Sequence, residues 1–345
     1  MDFKEQIIAV ITEHSVLSSR EIHDKLSTEN SYSTTKRILN KLVEKKLIDK
    51  IGRGRSTKYR LSKSYDILHS IDIEKYFEQE VDDRAIKNTF NFQLIEKDLP
   101  DIDVFTNVEL EKLNNLQTIY TKNISELSEE LYNKEIERLA IDLSWKSSQI
   151  EGNTYTLLET ERLLKEKKTA SGKLKDEAVM LLNHKDAIDF ILENPDYLQR
   201  LTVKDVEDIH SILTKELGIN RNLRNRGVGI TGTNYKPLDN EFQIKEAFES
   251  MCRLINKKSN VFEKSLLALV LISYIQGFMD GNKRTARIVS NAILIANGHC
   301  PLSFRTVDSI DYKKAMLVFY EQNNITPFKR IFVEQFEFAV NTYFG

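Results

Sequence analysis

The feature that most constrains this chain is the strongly apolar run from Leu266 to Ile275. A glycine-containing loop follows at once, then a second apolar pattern at Ile288, Val289, Ala292, Ile293 and Ile295. The run is well short of the roughly 18 residues that span a bilayer, so it belongs in a protein core, as one of two helices joined by a short turn. Lys283 and Arg284 then stand in the first turn of the second helix, where free N–H groups and the helix dipole already make the potential positive. Cations are unfavourable there unless an anion occupies the site, and a phosphate is the natural one. Arg284 and Arg287, three apart, take neighbouring positions on the helix surface and can hold successive phosphates, while Asp280 can ligate a magnesium ion bridging them.

A chain of 345 residues has room for two domains, or for one with a sizeable appendage. With 41% hydrophobic and 30% charged residues, few glycines and 5 prolines, it reads as mainly α rather than disordered or all-β. The opening segment MDFKEQIIAVITEH is amphipathic and lacks the basic start, apolar centre and small-residue cleavage site of a secretion signal. Cys252 and Cys300 stand alone, without the spacing of a zinc site or a disulfide framework. A reducing, cytoplasmic setting with no membrane attachment is expected. Charge is uneven: residues 1–62 hold 13 Lys and Arg against 8 Asp and Glu, the remainder 37 against 44. The basic end is therefore the expected partner of nucleic acid.

That end carries helical periodicity in Phe3 to His14, in Ser19 to Leu26 with Ser19 as N-cap, and from Ser33 to Leu47 with Ile38, Leu39, Leu42 and Val43 on one face. Ile48 to Ile51 and Lys58 to Leu61 then alternate like strands around a basic turn, Gly52 to Ser56. The order resembles the winged helix-turn-helix family, an α+β module. The third helix would present Ser33, Thr34, Lys36, Arg37, Asn40 and Lys41 away from its apolar face, cations for phosphates and amide or hydroxyl groups for base edges. Arg53, Arg55 and Lys58 place further cations on the hairpin. DNA is the expected partner, with protein–protein docking as the alternative use of the same module.

Domain limits read as 1–63 for the winged helix, 64–100 for a connector with acidic runs and the cluster Phe90-Asn91-Phe92, and 101–345 for a helical domain. In the last, periodicity resumes near Val108 and, after a break near Asn123, continues to Ile150. Gly152 suits the left-handed residue that ends a helix, which puts Glu151 at a helix C-terminus, where the dipole disfavours an anion by roughly 0.3 to 1 kcal/mol. A nearby cation would resolve the conflict.

The segment from Gln276 to Arg287 resembles the Fic-domain signature HxFx[D/E]GNxRxxR and matches it from Phe278 through Arg287, a long and specific pattern. The resemblance extends over roughly residues 100 to 345. It implies an all-helical Fic domain with a small β-hairpin flap and binding of ATP with Mg2+. Asp280 would hold the metal, Gly281, Asn282 and Lys283 would form an anion hole, and Arg284 and Arg287 would hold the outer phosphates. The reaction it implies is AMP transfer to a Ser, Thr or Tyr hydroxyl of a protein target. Ser147 and Glu151-Gly152 resemble the family's inhibitory motif, implying a Glu151–Arg287 pair that competes with nucleotide. Arg224 to Leu238, with Ile230, Thr231 and Gly232 at its centre, resembles the flap, which aligns a target segment through backbone hydrogen bonds.

Two departures matter. Gln276 stands where the family has its general-base histidine, and a carboxamide cannot take a hydroxyl proton at neutral pH, a loss on the order of 10² to 10⁴ in rate. None of the six histidines, His14, His23, His69, His184, His210 and His299, has a spacing that brings it to the motif, and each reads as a surface or structural residue. Lys283 replaces the glycine of many members, a feature shared with Doc-like phosphotransferases, so the orientation of the nucleotide stays open, although Arg287 argues against copying the reversed one. Two functions follow: a Fic adenylyltransferase-like protein held off by Glu151 and weakened by Gln276, or a nucleotide-responsive DNA-binding regulator without transferase activity. Removal of AMP from modified proteins is a weaker third, since the missing histidine matters there too. Dimerisation and self-modification occur in the family, and no residue here assigns either.

Overall fold

In the computed structural model, residues 2–26 and 30–345 are described, apart from the side chain of Arg55. The chain forms two compact units, Met1–Ser70 and Ile71–Gly345.

The first unit runs α1 (Phe3–His14), β1 (Leu17–Ser18), α2 (Ser19–Lys25), α3 (Tyr32–Glu44), β2 (Ile48–Ile51), β3 (Lys58–Leu61) and α4 (Tyr65–Leu68). Its strands pair antiparallel in the order β1-β3-β2, with Leu17 opposite Tyr59 and Ile51 opposite Lys58. Ile7, Ile11, Ile22, Leu39, Leu42, Leu47 and Ile48 fill the core. Ser18, not Ser19, caps α2: its backbone is extended, its side chain accepts from the Glu21 N–H, and the Glu21 carboxylate returns to the Ser18 N–H. This reciprocal arrangement satisfies two free donors at once. Helix α3 stops at Glu44 rather than Leu47 because Lys46 turns to φ 56° and the Leu47 N–H bonds back to Leu42 O, the left-handed closure of a helix end.

The second unit is built of α5 (Ile73–Phe77), α6 (Asn107–Glu126), α7 (Glu129–Ile150), α8 (Leu157–Glu166), α9 (Lys175–Glu193), α10 (Val203–Leu213), α11 (Glu241–Lys257), α12 (Val261–Ile275), α13 (Asn282–Ala296), α14 (Ser309–Gln322) and α15 (Thr326–Tyr343). The expected break near Asn123 falls instead at Leu127 and Ser128, where Leu127 is extended and Ser128 caps α7. Helix α12 is buried on every side from Leu266 to Ile275, as an all-round apolar helix must be. It lies along α13, tied by the Ser265 hydroxyl to the Ser290 hydroxyl (2.7 Å) and carbonyl (3.0 Å). No helix among the described residues is long and apolar enough to cross a membrane.

Residues 64–70 lie in the first unit, whereas the rest of the 64–100 stretch packs on the second. There Leu94, Ile95 and Leu99 are buried and the Asn91 N–H donates to the Tyr274 hydroxyl. The flap expected as a β-hairpin is not one. Residues 224–238 turn at Thr231 and Gly232 without pairing strands of their own, and their one bridge is parallel, from Lys236 to Thr89. Glycines at 227, 229 and 232 and Pro237 weaken strand formation. Three of its backbone groups are taken up by neighbours instead: Arg224 N–H by Gly277 O, Gly232 O by Arg84, and Lys236 N–H by Asn88 O.

Candidate functional site

The site forms where α7 ends, α12 turns into α13, and α14 closes the far side. Helix α7 finishes as the sequence suggests. Gly152 takes φ 101°, its N–H bonds to Gln149 O and the Asn153 N–H bonds to Ser148 O, so the last carbonyls are satisfied and Glu151 is left pointing from the helix end. Its carboxylate accepts from Lys283 Nζ through one oxygen (2.6 Å) and from Arg287 Nη2 through the other (2.9 Å). The cation that the helix dipole asked for is therefore two cations. Burial alone would raise the Glu151 pKa, but the charges and hydrogen bonds of Arg287 and Lys283 outweigh it and hold the carboxyl at about 2.

Arg287 is fully buried and its remaining bonds fix its direction. Nε donates to the Ser147 hydroxyl (2.8 Å), Nη2 to the Ser147 carbonyl (2.9 Å), and the guanidinium stands over the Tyr312 ring at 5.2 Å. The Ser147 hydroxyl also bonds to Nε2 of His184 (2.6 Å). Burial, reinforced by the charges of Arg287 and Arg284, keeps the His184 pKa well below the ordinary 6.5, so the ring is neutral. His210 is likewise neutral, pushed down to about 4 mainly by burial, and its ring stacks on Phe278 with centroids 3.7 Å apart.

The α12–α13 loop is densely hydrogen-bonded. Asn282 closes it on itself, accepting from the Phe278 N–H and donating to the Phe278 carbonyl, both at 2.8 Å. Gln276 sits in the left-handed region at φ 51°, and its amide is engaged at both ends: Nε2 donates to Ser273 O (2.7 Å) and the Tyr320 hydroxyl (3.3 Å), while Oε1 accepts from Asn282 Nδ2 (3.1 Å). Arg224 clamps the loop from outside, donating from Nε to Gln276 O and from its backbone N–H to Gly277 O. Gly277 is demanded by space, because a Cβ there would lie 2.1 Å from the Phe248 ring.

These parts enclose a pocket of about 420 Å³. Glu151, Gln276, Asp280, Gly281, Asn282 and Lys283 line its polar side, Val228 to Thr231 a second side, and Lys313, Met316, Leu317 and Tyr320 of α14 a third. Arg284, Arg287 and Ser147 stand behind the lining and Gly232 beside it. Asp280 is 68% exposed, accepts from the Gly281 N–H (2.6 Å) and meets Arg284 Nη2 at 3.4 Å. Arg284 is buried, and its Nη1 has no hydrogen-bond partner among the described residues, an unsatisfied cationic donor at the start of α13. Among those residues no group of three His, Cys, Asp or Glu could hold a metal, so a cation here would rest on Asp280 with phosphate and water oxygens, as Mg2+ commonly does.

Sequence reasoning thus brought together the right segments and missed their supports. His184, His210, Arg224, Tyr312 and Tyr320 come from α9, α10, the 224–238 loop and α14, and no spacing in the chain links them to the motif. The second role of Lys283, on Glu151, was also missed, although an anion at a helix C-terminus and a cation in the first turn of another helix are complementary signals. In the first unit, Ser33, Lys36, Arg37, Asn40 and Lys41 are exposed on α3, as are Arg53 and Lys58 on the hairpin. Thr34 is half-buried and its N–H bonds to the Ser31 side chain that caps α3. The expected Arg55 contact lies outside the described residues.

Residues 200–294 match the Fic/DOC family model and residues 2–98 the penicillinase repressor model. A protein adenylyltransferase Fic of Nematostella vectensis is 29% identical over 205 residues, 58% of this chain and 47% of that protein. One of Drosophila mojavensis is 28% identical over 206 residues, 58% and 40%. The chain thus matches less than half the length of these relatives. Among solved structures, C. elegans Fic-1 aligns with a TM-score of 0.59 at 18% identity, covering 68% of this chain and 72% of the other. A Fic domain-containing signaling protein of Bacteroides thetaiotaomicron aligns with a TM-score of 0.58 at 18% identity, covering 68% and 95%. Both likenesses, at under a fifth identity, speak for the fold alone. The α12–α13 loop and the helices around it thus lie in a stretch, residues 200–294, that is similar to the Fic/DOC family, and residues 2–98 are similar to the penicillinase repressor family.

Proposed function

We propose that this is a Fic protein of the adenylyltransferase type, binding Mg·ATP along residues 280–287 and restrained by its own Glu151. One observation carries the reading: the Glu151 carboxylate is held at once by Lys283 and Arg287, at 2.6 and 2.9 Å, so an internal anion already occupies the cations a nucleotide phosphate needs. Bound Mg·ATP would supply the AMP group and a pyrophosphate leaving group. The chain's own part is to present the unsatisfied Arg284 donor, the α13 N-terminus and Asp280 to the phosphates and metal, and to withdraw Glu151. Ser147 keeps Arg287 in place during that exchange. The partner is a Ser, Thr or Tyr hydroxyl of a protein target, and a homodimer is compatible with this reading. The buried, unpaired Cys252 and Cys300 fit a reducing cytoplasm.

A second reading is favoured by Gln276. Both ends of its amide are committed to Ser273, Tyr320 and Asn282, which leaves it poorly placed to assist a hydroxyl, and the N-terminal match is to a repressor model. The protein would then be a nucleotide-responsive DNA-binding regulator, contacting DNA with Thr34, Lys36, Arg37, Asn40, Arg53, Arg55 and Lys58. It requires a difference in ATP affinity between two conformations. The discriminating experiment titrates Mg·ATP into wild type and Glu151→Gly, then incubates both with α-labelled ATP, with and without Gln276→His. Label on protein in Glu151→Gly alone supports the enzyme. Tighter binding with label only after Gln276→His supports the regulator, and no binding in any variant refutes both.

A further inference from the structure

The segment that follows the winged helix does more than connect. Residues 72–91 are laced to the C-terminal end of α14 and to the 224–238 loop, the two non-motif sides of the pocket. Tyr76 donates its hydroxyl to Glu321 Oε2 (2.6 Å), the Lys87 N–H donates to Glu321 O (2.7 Å), and Gln322 Nε2 donates to Ala85 O (2.6 Å). On the loop, Asn234 Nδ2 donates to Asp82 (2.8 Å) and the Lys236 N–H to Asn88 O (2.9 Å).

Arg84 joins the two sets. Its Nη1 donates to Glu321 Oε2 on α14 (3.2 Å) and its Nη2 to the carbonyl of Gly232 (2.8 Å), with side chains only 2% exposed at Arg84 and 1% at Glu321. A charge is costly to bury, and packing alone would be served as well by an apolar side chain. What an apolar residue cannot do is grip two elements with the two arms of one planar fork. The loop needs such a grip, since it has no strand pairing within itself, and Gly232 lies directly on Leu317, with a Cβ built at Gly232 falling 3.4 Å from its Cδ1. We infer that Arg84 is a positioning residue of the pocket: by tying the Gly232 carbonyl to Glu321 it sets the distance between the Val228–Thr231 wall and the Met316–Tyr320 wall, and hence the fit of a nucleotide between them. The nucleotide clause rests on the function proposed above; the tie itself does not.

The test uses the full chain. Arg84→Lys keeps a positive charge beside Glu321 but has one nitrogen in place of the fork, and Arg84→Met with Glu321→Gln removes the pair without leaving a buried charge. Hydrogen exchange at the Tyr235 and Lys236 amides, which donate to the Thr233 hydroxyl and to Asn88 O, is measured without nucleotide. Both variants are expected to exchange faster there by about tenfold, the equivalent of one lost charge-assisted hydrogen bond, while α12 and α13 keep wild-type protection. Wild-type exchange at both amides in both variants overturns the inference, as does an equal loss of protection across α12 and α13, which would mark Arg84 as merely structural. Mg·ATP affinity is then measured with Arg84→Lys added to Glu151→Gly. A weaker Kd completes the case, and an unchanged Kd alongside faster exchange overturns the claim that the tie sets nucleotide fit. If Glu151→Gly alone binds no Mg·ATP, the nucleotide reading fails and the exchange result still decides whether Arg84 holds the loop.

Discussion

Replacing Glu151 by Gln tests the restraint most directly, because it keeps the shape of the side chain and removes its charge. The carboxyl is held at about 2 against an ordinary 4.5. At about 1.4 kcal/mol per pKa unit, this amounts to about 3 kcal/mol of preference for the carboxylate between Lys283 and Arg287. The carboxylate is mostly shielded, with 17% of its side chain exposed, so solvent screening removes little of this. A nucleotide that must displace it loses up to that amount, and Glu151→Gln should therefore bind Mg·ATP more tightly, by up to about a hundredfold. Stability should move the other way. A carboxyl whose folded pKa is depressed adds stability that is fully present above its unfolded pKa of 4.5 and is lost as pH falls through its folded value of about 2. Wild type should thus exceed Glu151→Gln at pH 7, and the gap should close between about pH 5 and pH 2. Titration calorimetry reads the first effect and denaturant melts across that pH range the second. Unchanged ATP affinity, or a stability gap indifferent to pH, would refute the argument that Glu151 is the anion on these cations.

Other outcomes can be read in the same preparations. Adding Gln276→His to Glu151→Gly should raise AMP labelling of protein by on the order of 10² to 10⁴, the worth of a general base, in a labelled-ATP assay. Gly277→Ala should destabilise the second unit by about 1 to 3 kcal/mol in a denaturant melt, since the added methyl meets the Phe248 ring at 2.1 Å. A further Phe248→Leu change should recover part of that loss. In the first unit, Arg37→Ala should lower the slope of log K against log salt for duplex DNA by about 0.9, the effect of one phosphate contact, in fluorescence anisotropy titrations. An unchanged slope would remove Arg37 from the DNA face.

Much of the fold could be read along the chain because its signals are local. The apolar run of α12, the cap and turn residues around α7, and the alternation of β2 and β3 each act over a few residues; β2 and β3 formed at their expected limits, and α7 and α12 ended where expected, at Ile150 and Ile275, although they began at Glu129 and Val261. The flap failed as a hairpin for an equally physical reason. Its glycines and Pro237 disfavour strands, and three of its backbone groups are bonded instead to Arg84, Asn88 and Gly277, partners far away in sequence that no local pattern announces. Glu151 is the intermediate case: a carboxylate at a helix C-terminus called for a cation, the motif offered Arg287, and folding supplied Lys283 as well.

By itself, then, the amino-acid sequence determined the winged helix, the buried helix pair and the cation-rich turn between them, since periodicity, capping and turn chemistry are properties of neighbouring residues. Only the tertiary structure decided that the Ser147 hydroxyl would lie between Arg287 and His184, that the Gln276 amide would be used up internally, and that Arg84 would bridge α14 to Gly232. Those choices depend on which buried polar groups meet when helices distant in the chain pack together, and each group must then find its hydrogen bonds among whatever neighbours the packing provides.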